Sequence, residues 1–253
     1  PESAPLIGLS GLLRSARLEH PALRTQLVLV DPVERAEVWS RQLRACSEAS
    51  ADLIRCQGET KQYLGWTEAV AEPHAMREPG RPWRDDGVYL ITGGLGGLAC
   101  IVAQDLLERS ANAKVVLAGR SAPDERKLAA LRSLPGAATR VCYHRADVSN
   151  AEQTTELIKS ILREHHTLTG ILHGAGIRSD RLLIRKSEAE LCEVLSPKVA
   201  ATCNLDAATR DLELDSFVLF SSLAGTLGSV GQCDYAAGNA FLDWFAAQRC
   251  QRV

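Results

Sequence analysis

The chain lacks any apolar run long enough to cross a bilayer; stretches such as 115–118 and 217–220 fall far below that length. Its first residues, Pro-Glu-Ser-Ala-Pro, lack the basic-then-apolar pattern of a signal peptide. A starting Met is missing too, and the chain is expected to be cut from a longer one. Eight cysteines, at 46, 56, 100, 142, 192, 203, 233 and 250, form no C-x-x-C pair. Neither a metal site nor a disulfide framework is expected of them; reduced thiols in the cytoplasm are. Formal net charge is −2, too little for a long-range pull toward nucleic acid or an anionic membrane, and neither is expected as a partner. What is present is 45% hydrophobic and 24% charged residues over 253 positions, enough for one large domain or a small domain and a mid-sized one.

Residues 1 to about 70 read as an incomplete α/β unit. An Arg-rich start over 11–23 leads to an apolar run at 26–30 that ends at Asp31-Pro32. A helical stretch over 33–46 and extended runs near 52–56 and 63–66 follow. No catalytic pattern lies here, so a structural role is expected. Residues 71–86 hold three prolines and many charges and read as a linker. From 87 onward strand and helix signals alternate. Strands are expected at 88–92, 114–118, 140–144, 170–173 and 216–220, and helices at 97–108, 124–133, 151–165, 188–209 and 235–249. That rhythm implies a doubly wound parallel sheet with helices on both faces. The expected division is 1–80, structural subdomain and linker, and 81–253, nucleotide-binding subdomain.

Thr92-Gly93-Gly94-Leu95-Gly96-Gly97-Leu98 follows the first of these strands and runs into a helix. Glycines allow a tight turn and bring backbone amides against a pyrophosphate at the helix N-terminus. The strand before and the helix after turn a weak motif into a dinucleotide site and the fold into a Rossmann-like one. The second strand ends in Gly119-Arg120-Ser121. A free ribose 2′-hydroxyl calls for a carboxylate there, whereas a guanidinium and a hydroxyl suit a 2′-phosphate, so NADPH is the expected cofactor. Asp147, with Val148, stands after the third strand, where an adenine amine would lie. His173-Gly174-Ala175-Gly176 after the fourth supplies small residues for a nicotinamide ribose, and His173 reads as a packed histidine rather than a base.

The fifth strand leads into Phe220-Ser221-Ser222-Leu223-Ala224-Gly225, followed by Tyr235-Ala236-Ala237-Gly238-Asn239. Carbonyl reduction by hydride needs a proton donor for the developing alkoxide and a hydrogen bond on the carbonyl oxygen. A tyrosine helped by a nearby cation, and a serine hydroxyl, can supply the two. These segments, with Ser196-Pro197-Lys198-Val199 and the glycine loop, resemble the short-chain dehydrogenase/reductase superfamily. Within it they resemble the ketoreductase domains of modular polyketide synthases, and 11–21 resembles the structural subdomain that precedes the catalytic half there. The likeness covers essentially the whole chain.

That resemblance implies Tyr235 as proton donor, Ser222 thirteen positions before it as the carbonyl-polarising serine, and Ser221 as its non-catalytic neighbour. Ordinary short-chain dehydrogenases carry a lysine four residues after the tyrosine; here that position is Asn239, and the lysine stands upstream as Lys198. The exchange is typical of polyketide and fatty-acid ketoreductases. Alone, Lys198 would read as a solvated helix lysine; the matched motif reverses that. Ala99 replaces the last glycine of the motif and is expected to weaken cofactor binding at most. The chain stops at Val253, before the strands, nicotinamide loop and lid with which the family continues, so an unfinished sheet and an open pocket are expected; the N-terminal subdomain is likewise expected to be truncated. Arg178-Ser179-Asp180 keeps the final aspartate of the Leu-Asp-Asp that marks B-type, D-hydroxyl domains. Leu227 stands where domains of opposite outcome carry tryptophan, so both positions point to B-type. The implied activity is NADPH-dependent reduction of a β-ketoacyl chain on the phosphopantetheine arm of an acyl carrier protein, among other synthase domains of the same polypeptide. A catalytically inactive scaffold would be expected to lose one of Ser222, Tyr235, Lys198 or Asn239, and all are present. A free-standing reductase of small ketones conflicts with the N-terminal subdomain and with the Lys/Asn exchange.

Overall fold

The computed structural model describes residues 4–30, 35–68 and 83–252; Asp31-Pro32 and most of the expected linker lie outside them. The chain divides into two compact units, one drawn from 1–75, 180–186 and 222–241, the other from 76–179, 187–221 and 242–253.

In the first unit a 3₁₀ turn (Ala4–Gly8) opens into helix α1 (Leu9–Glu19). Strand β1 (Leu27–Leu29), helix α2 (Ala36–Cys46) and strands β2 (Leu53–Gln57) and β3 (Thr60–Tyr63) follow. β1 lies parallel to β2, and β2 pairs antiparallel with β3. The extended run expected near 63–66 is paired from Thr60, because Gly58, at φ +56°, turns the chain straight back. Cys46, Ile54 and Cys56 form a small buried cluster in which the two thiol sulfurs lie 3.8 Å apart.

The second unit is built on β4 (Val88–Thr92), α3 (Gly97–Arg109), β5 (Lys114–Gly119), α4 (Glu125–Ser133), α5 (Ala137–Arg140) and β6 (Val141–Arg145). It continues with α6 (Ala151–His165), β7 (Gly170–His173), α7 (Glu188–Leu195), α8 (Val199–Ala208) and β8 (Ser216–Leu219). The strands run parallel in the order β6-β5-β4-β7-β8, a Rossmann-like doubly wound sheet. Strands β4 and β7 are buried at every residue because side chains of period two meet a helical layer on each face. Leu90, Val116 and Ile171 pack against Ile161 of α6 and Leu205 of α8. Tyr89, Ile91 and Leu117 pack against Ala103 and Leu106 of α3.

Local chemistry sets the helix ends. Asn150 accepts from the Gln153 amide to start α6, and Ser187 with Glu190 forms a capping box at α7. The single helix expected over 188–209 is two, because Pro197 has no N–H for the helical ladder and its ring blocks the preceding turn. Lys198 is thereby set at the mouth of α8.

Helices α9 (Leu223–Leu227) and α10 (Cys233–Arg249) complete the description; α10 belongs to the first unit up to Phe241 and to the second from Leu242. Within the first unit α1 lies on α10 so closely that a Cβ on Gly11 would collide with the Ala236 backbone. Arg14 of α1 donates both to Asp52 (2.8 Å) and to the Gly225 carbonyl (3.1 Å), joining the small sheet to α9. No described helix is long and apolar enough to cross a membrane.

Candidate active site

A cavity of about 230 Å³ opens in the second unit at the C-terminal ends of β4 to β7, the place where strand order reverses. Gly93, Gly94, Leu95 and Gly96, Arg120 and Ser121, and Asp147, Val148, Ala175 and Gly176 are among its lining residues. Glycine is obligatory in that loop: Gly93 stands at φ +107°, and a Cβ there would come 2.9 Å from the Gly174 carbonyl. At the end of β5, a Cβ on Gly119 would stand 2.7 Å from the Gly94 Cα. The loop therefore leaves a cradle that side chains would fill, at the N-terminus of α3. This fits a pyrophosphate.

Lys127, which the sequence reading passed over, also lines the cavity. It sits in the first turn of α4, where its backbone amide donates to the capping Asp124 at 2.8 Å. The Tyr143 hydroxyl donates to the Ser121 carbonyl at 2.7 Å, and burial raises its pKa, so it remains a donor. Arg120, Ser121 and Lys127 thus bring a guanidinium, a hydroxyl and an ammonium to the cavity lining, a donor set that fits a 2′-phosphate. Asp147 accepts from the Ser149 amide at 2.9 Å, which holds its loop.

Thr92, Gly97, Leu98, His173 and Gly174 are not among the lining residues. Leu98 is 60% exposed, and Ala99 packs in the core with Tyr89 and Ile91. His173 is fully buried between the Thr92 hydroxyl (2.7 Å, Nδ1) and the Pro197 carbonyl (2.9 Å, Nε2). Because a carbonyl only accepts, Nε2 carries the hydrogen and Nδ1 receives the threonine proton. Burial, and then the charge of Lys198, push the His173 pKa down to about 4, so the ring stays neutral. The histidine ties β4, β7 and the Pro197 turn together.

That turn delivers Lys198, which is 4% exposed and donates from Nζ to the Phe220 carbonyl at 2.8 Å. Burial pushes its pKa down to about 8, with the Asp243 carboxylate opposing. Asp243 is itself raised by burial, against the pull of the Ser221 hydroxyl and of Lys198.

Ser222, Tyr235 and Asn239 all belong to the first unit. Ser222 caps α9, its Oγ accepting from the Ala224 amide at 3.3 Å. Gly225 brings α9 hard against α10, where a Cβ would lie 2.7 Å from the Ala240 amide nitrogen and 2.8 Å from the Asn239 carbonyl carbon. Tyr235 occupies the first turn of α10, and the buried Asn239 donates to the Tyr235 carbonyl at 2.7 Å. Asp180 accepts from Gln232 at 2.8 Å, and Leu227, 53% exposed, closes α9.

The fold and the strand-end cavity are those of a Rossmann-like α/β protein of the short-chain dehydrogenase/reductase superfamily. Comparison narrows that class. Residues 87–253 match the family described as "KR domain". The chain is 41% identical, over 96% of its length, to polyketide synthase PksN of Bacillus subtilis (strain 168), and spans 4% of that protein. It matches the crystal structure of a ketoreductase domain from the bacillaene assembly line with a TM-score of 0.88 and 37% identity, covering 99% of this chain and 59% of that one. An N-terminal ketoreductase from the macrolactin assembly line matches at TM-score 0.79 and 29% identity, covering 97% and 49%. The chain belongs to the ketoreductase-domain family of modular polyketide synthases.

Proposed function

We propose that the domain reduces the β-keto group of an acyl chain carried on the phosphopantetheine arm of an acyl carrier protein, using NADPH, and that it is of B-type, leaving a D-hydroxyl. The observation that carries this is the glycine cradle opening beside Arg120, Ser121 and Lys127, a cavity fitted to a phosphorylated dinucleotide. Gly93 to Gly96 and the start of α3 would hold the pyrophosphate, Asp147 and Val148 the adenine, and Ala175 and Gly176 the nicotinamide ribose. When bound, NADPH supplies the hydride.

The chain's own residues do the rest. Ser222 donates a hydrogen bond to the substrate carbonyl, and Tyr235 gives its phenolic proton to the oxygen as negative charge grows there. Lys198 lowers the cost of the phenolate while charged and, with a pKa near 8, exchanges protons readily at neutral pH. Asn239, bonded to the Tyr235 carbonyl, holds the first turn of α10 in place. Asp180 and Leu227 are assigned to stereocontrol. The neighbouring synthase domains and the carrier protein are the proposed partners.

The test is NADPH consumption with a simple β-ketoacyl thioester, the hydroxyl configuration being read by chiral chromatography. Tyr235→Phe is expected to abolish turnover while NADPH affinity stays unchanged. Turnover retained in that variant removes Tyr235 from the mechanism. NADPH binding without turnover in the unmodified protein moves the assignment to a scaffold.

A further inference from the structure

Two carboxylates in the first unit each grip the same pair of segments. Glu19, the last residue of α1, accepts from the Leu183 amide through one oxygen (2.7 Å) and from the Gly231 amide through the other (3.0 Å). Asp234 accepts from the Lys186 ammonium through Oδ2 (2.7 Å) and from the Tyr235 amide through Oδ1 (2.8 Å). One segment is 180–186, which carries Asp180; the other is 231–235, which enters Tyr235. Between the carboxylates the Arg181 amide donates to the Gly231 carbonyl (2.8 Å), and Gln232 donates to Asp180 (2.8 Å).

The burial is what makes these contacts informative. The side chains of Lys186 and Asp234 are both 0% exposed. A sealed ion pair contributes little net stability, since desolvating two charges offsets most of their attraction; what it does supply is a single geometry. Cys233, fully buried, lies among the same groups: burial and then Asp234 push its thiol up to about 11, with Glu19 adding to the rise and Lys186 opposing it.

We infer that Glu19, Lys186 and Asp234 are positioning residues, a double clamp that fixes the Asp180 loop against the turn bearing Tyr235 and so sets the face of the carbonyl that is reduced. This rests on the proposed role of Tyr235. Glu19 acts through two backbone amides and touches no reacting atom; its contribution is register. A helix of the N-terminal segment thereby becomes part of the stereochemical apparatus.

The test uses two variants of the intact protein. Glu19→Gln keeps the volume but turns an NH₂ toward one of the two amides that the carboxylate served. Lys186→Met combined with Asp234→Asn removes both buried charges together, so that neither is left stranded. Hydrogen exchange at Leu183 and Gly231 and native-state alkylation of Cys233 report the clamp without reference to catalysis. Both variants are expected to exchange at least about tenfold faster at these amides, to expose Cys233 to alkylation, and to yield a mixture of hydroxyl configurations. Turnover is expected to fall roughly tenfold to a hundredfold with NADPH affinity unchanged, as misplacement rather than unfolding requires. Unchanged exchange in Glu19→Gln overturns the clamp. So does a single hydroxyl configuration retained by both variants. Tyr235→Phe run alongside separates the two claims: turnover in that variant removes the catalytic role of Tyr235, while exchange at Leu183 and Gly231 still reads the clamp itself.

Discussion

Replacing Lys198 with methionine is expected to stabilise the domain while removing its activity. The ammonium is 4% exposed, and burial pushes its pKa from 10.5 down to about 8. Between those two pH values the unfolded lysine still holds a proton that the folded one has released, so native stability rises with pH across that window. Below about pH 8 the folded state carries the buried charge at a cost of about 3 kcal/mol, the fall in pKa expressed as free energy. Methionine keeps the aliphatic stem and removes the charge, but loses the bond to the Phe220 carbonyl, worth about 1 kcal/mol. Lys198→Met should therefore be about 2 kcal/mol more stable at pH 7. Its advantage should shrink as pH climbs from 8 toward 10.5 and the native lysine becomes neutral in both states. Urea unfolding of both proteins at pH 7 and 9.5, followed by circular dichroism, reads the two gaps directly. A variant no more stable than the parent at pH 7, with a difference that does not change with pH, refutes the reasoning.

Arg120→Ala should weaken NADPH by about tenfold to a hundredfold, the loss of one charge-assisted phosphate contact, and NADH far less. Lys127→Ala should show the same bias at smaller amplitude, and equal losses for the two cofactors by fluorescence titration would remove either residue from the 2′-phosphate site. Gly225→Ala drives a methyl onto the Asn239 and Ala240 backbone, contacts of 2.7–2.8 Å that no flexible side chain can relieve. It should cost about 1–3 kcal/mol in urea unfolding and lower turnover by displacing the α9 cap at Ser222.

Strands β4 and β7 were legible to the residue because each is a short apolar run with an abrupt end, Gly93 or Gly174 beyond it. The same punctuation marked loops that line the cavity, since Gly93, Arg120, Asp147 and Ala175 each follow a strand end. The break at Pro197 was visible in the letters yet was overridden by helical periodicity on both sides of it. Helix α9, five residues long, is too short to leave a periodic signal. Lys127 reads as one charge on a polar helix, and only the folded chain places it in the cavity lining. Glu19 was beyond reach for a different reason. Its partners are backbone amides 164 and 212 residues away, which carry no side-chain signature.

The two lysines with buried side chains sit in unlike environments, one suited to the fastening proposed for Lys186 and the other to the proton relay proposed for Lys198. Lys186 meets a carboxylate at 2.7 Å with both side chains sealed from water, whereas the Lys198 ammonium donates to the neutral Phe220 carbonyl and its pKa is pushed down by burial to about 8, with Asp243 opposing. The first arrangement fixes a position, and the second leaves a charge that can change near neutral pH, which is what catalysis needs. One substitution should therefore act in opposite directions at the two sites. Lys186→Met alone strands the Asp234 carboxylate in the interior and should destabilise the domain by about 3–5 kcal/mol. Adding Asp234→Asn should recover much of that loss, because no uncompensated charge remains. Lys198→Met should move the urea midpoint the other way at pH 7. Midpoints that shift in the same direction for Lys186→Met and Lys198→Met would mean that the two ammonium groups feel the interior alike, and the distinction between clamp and relay would fall.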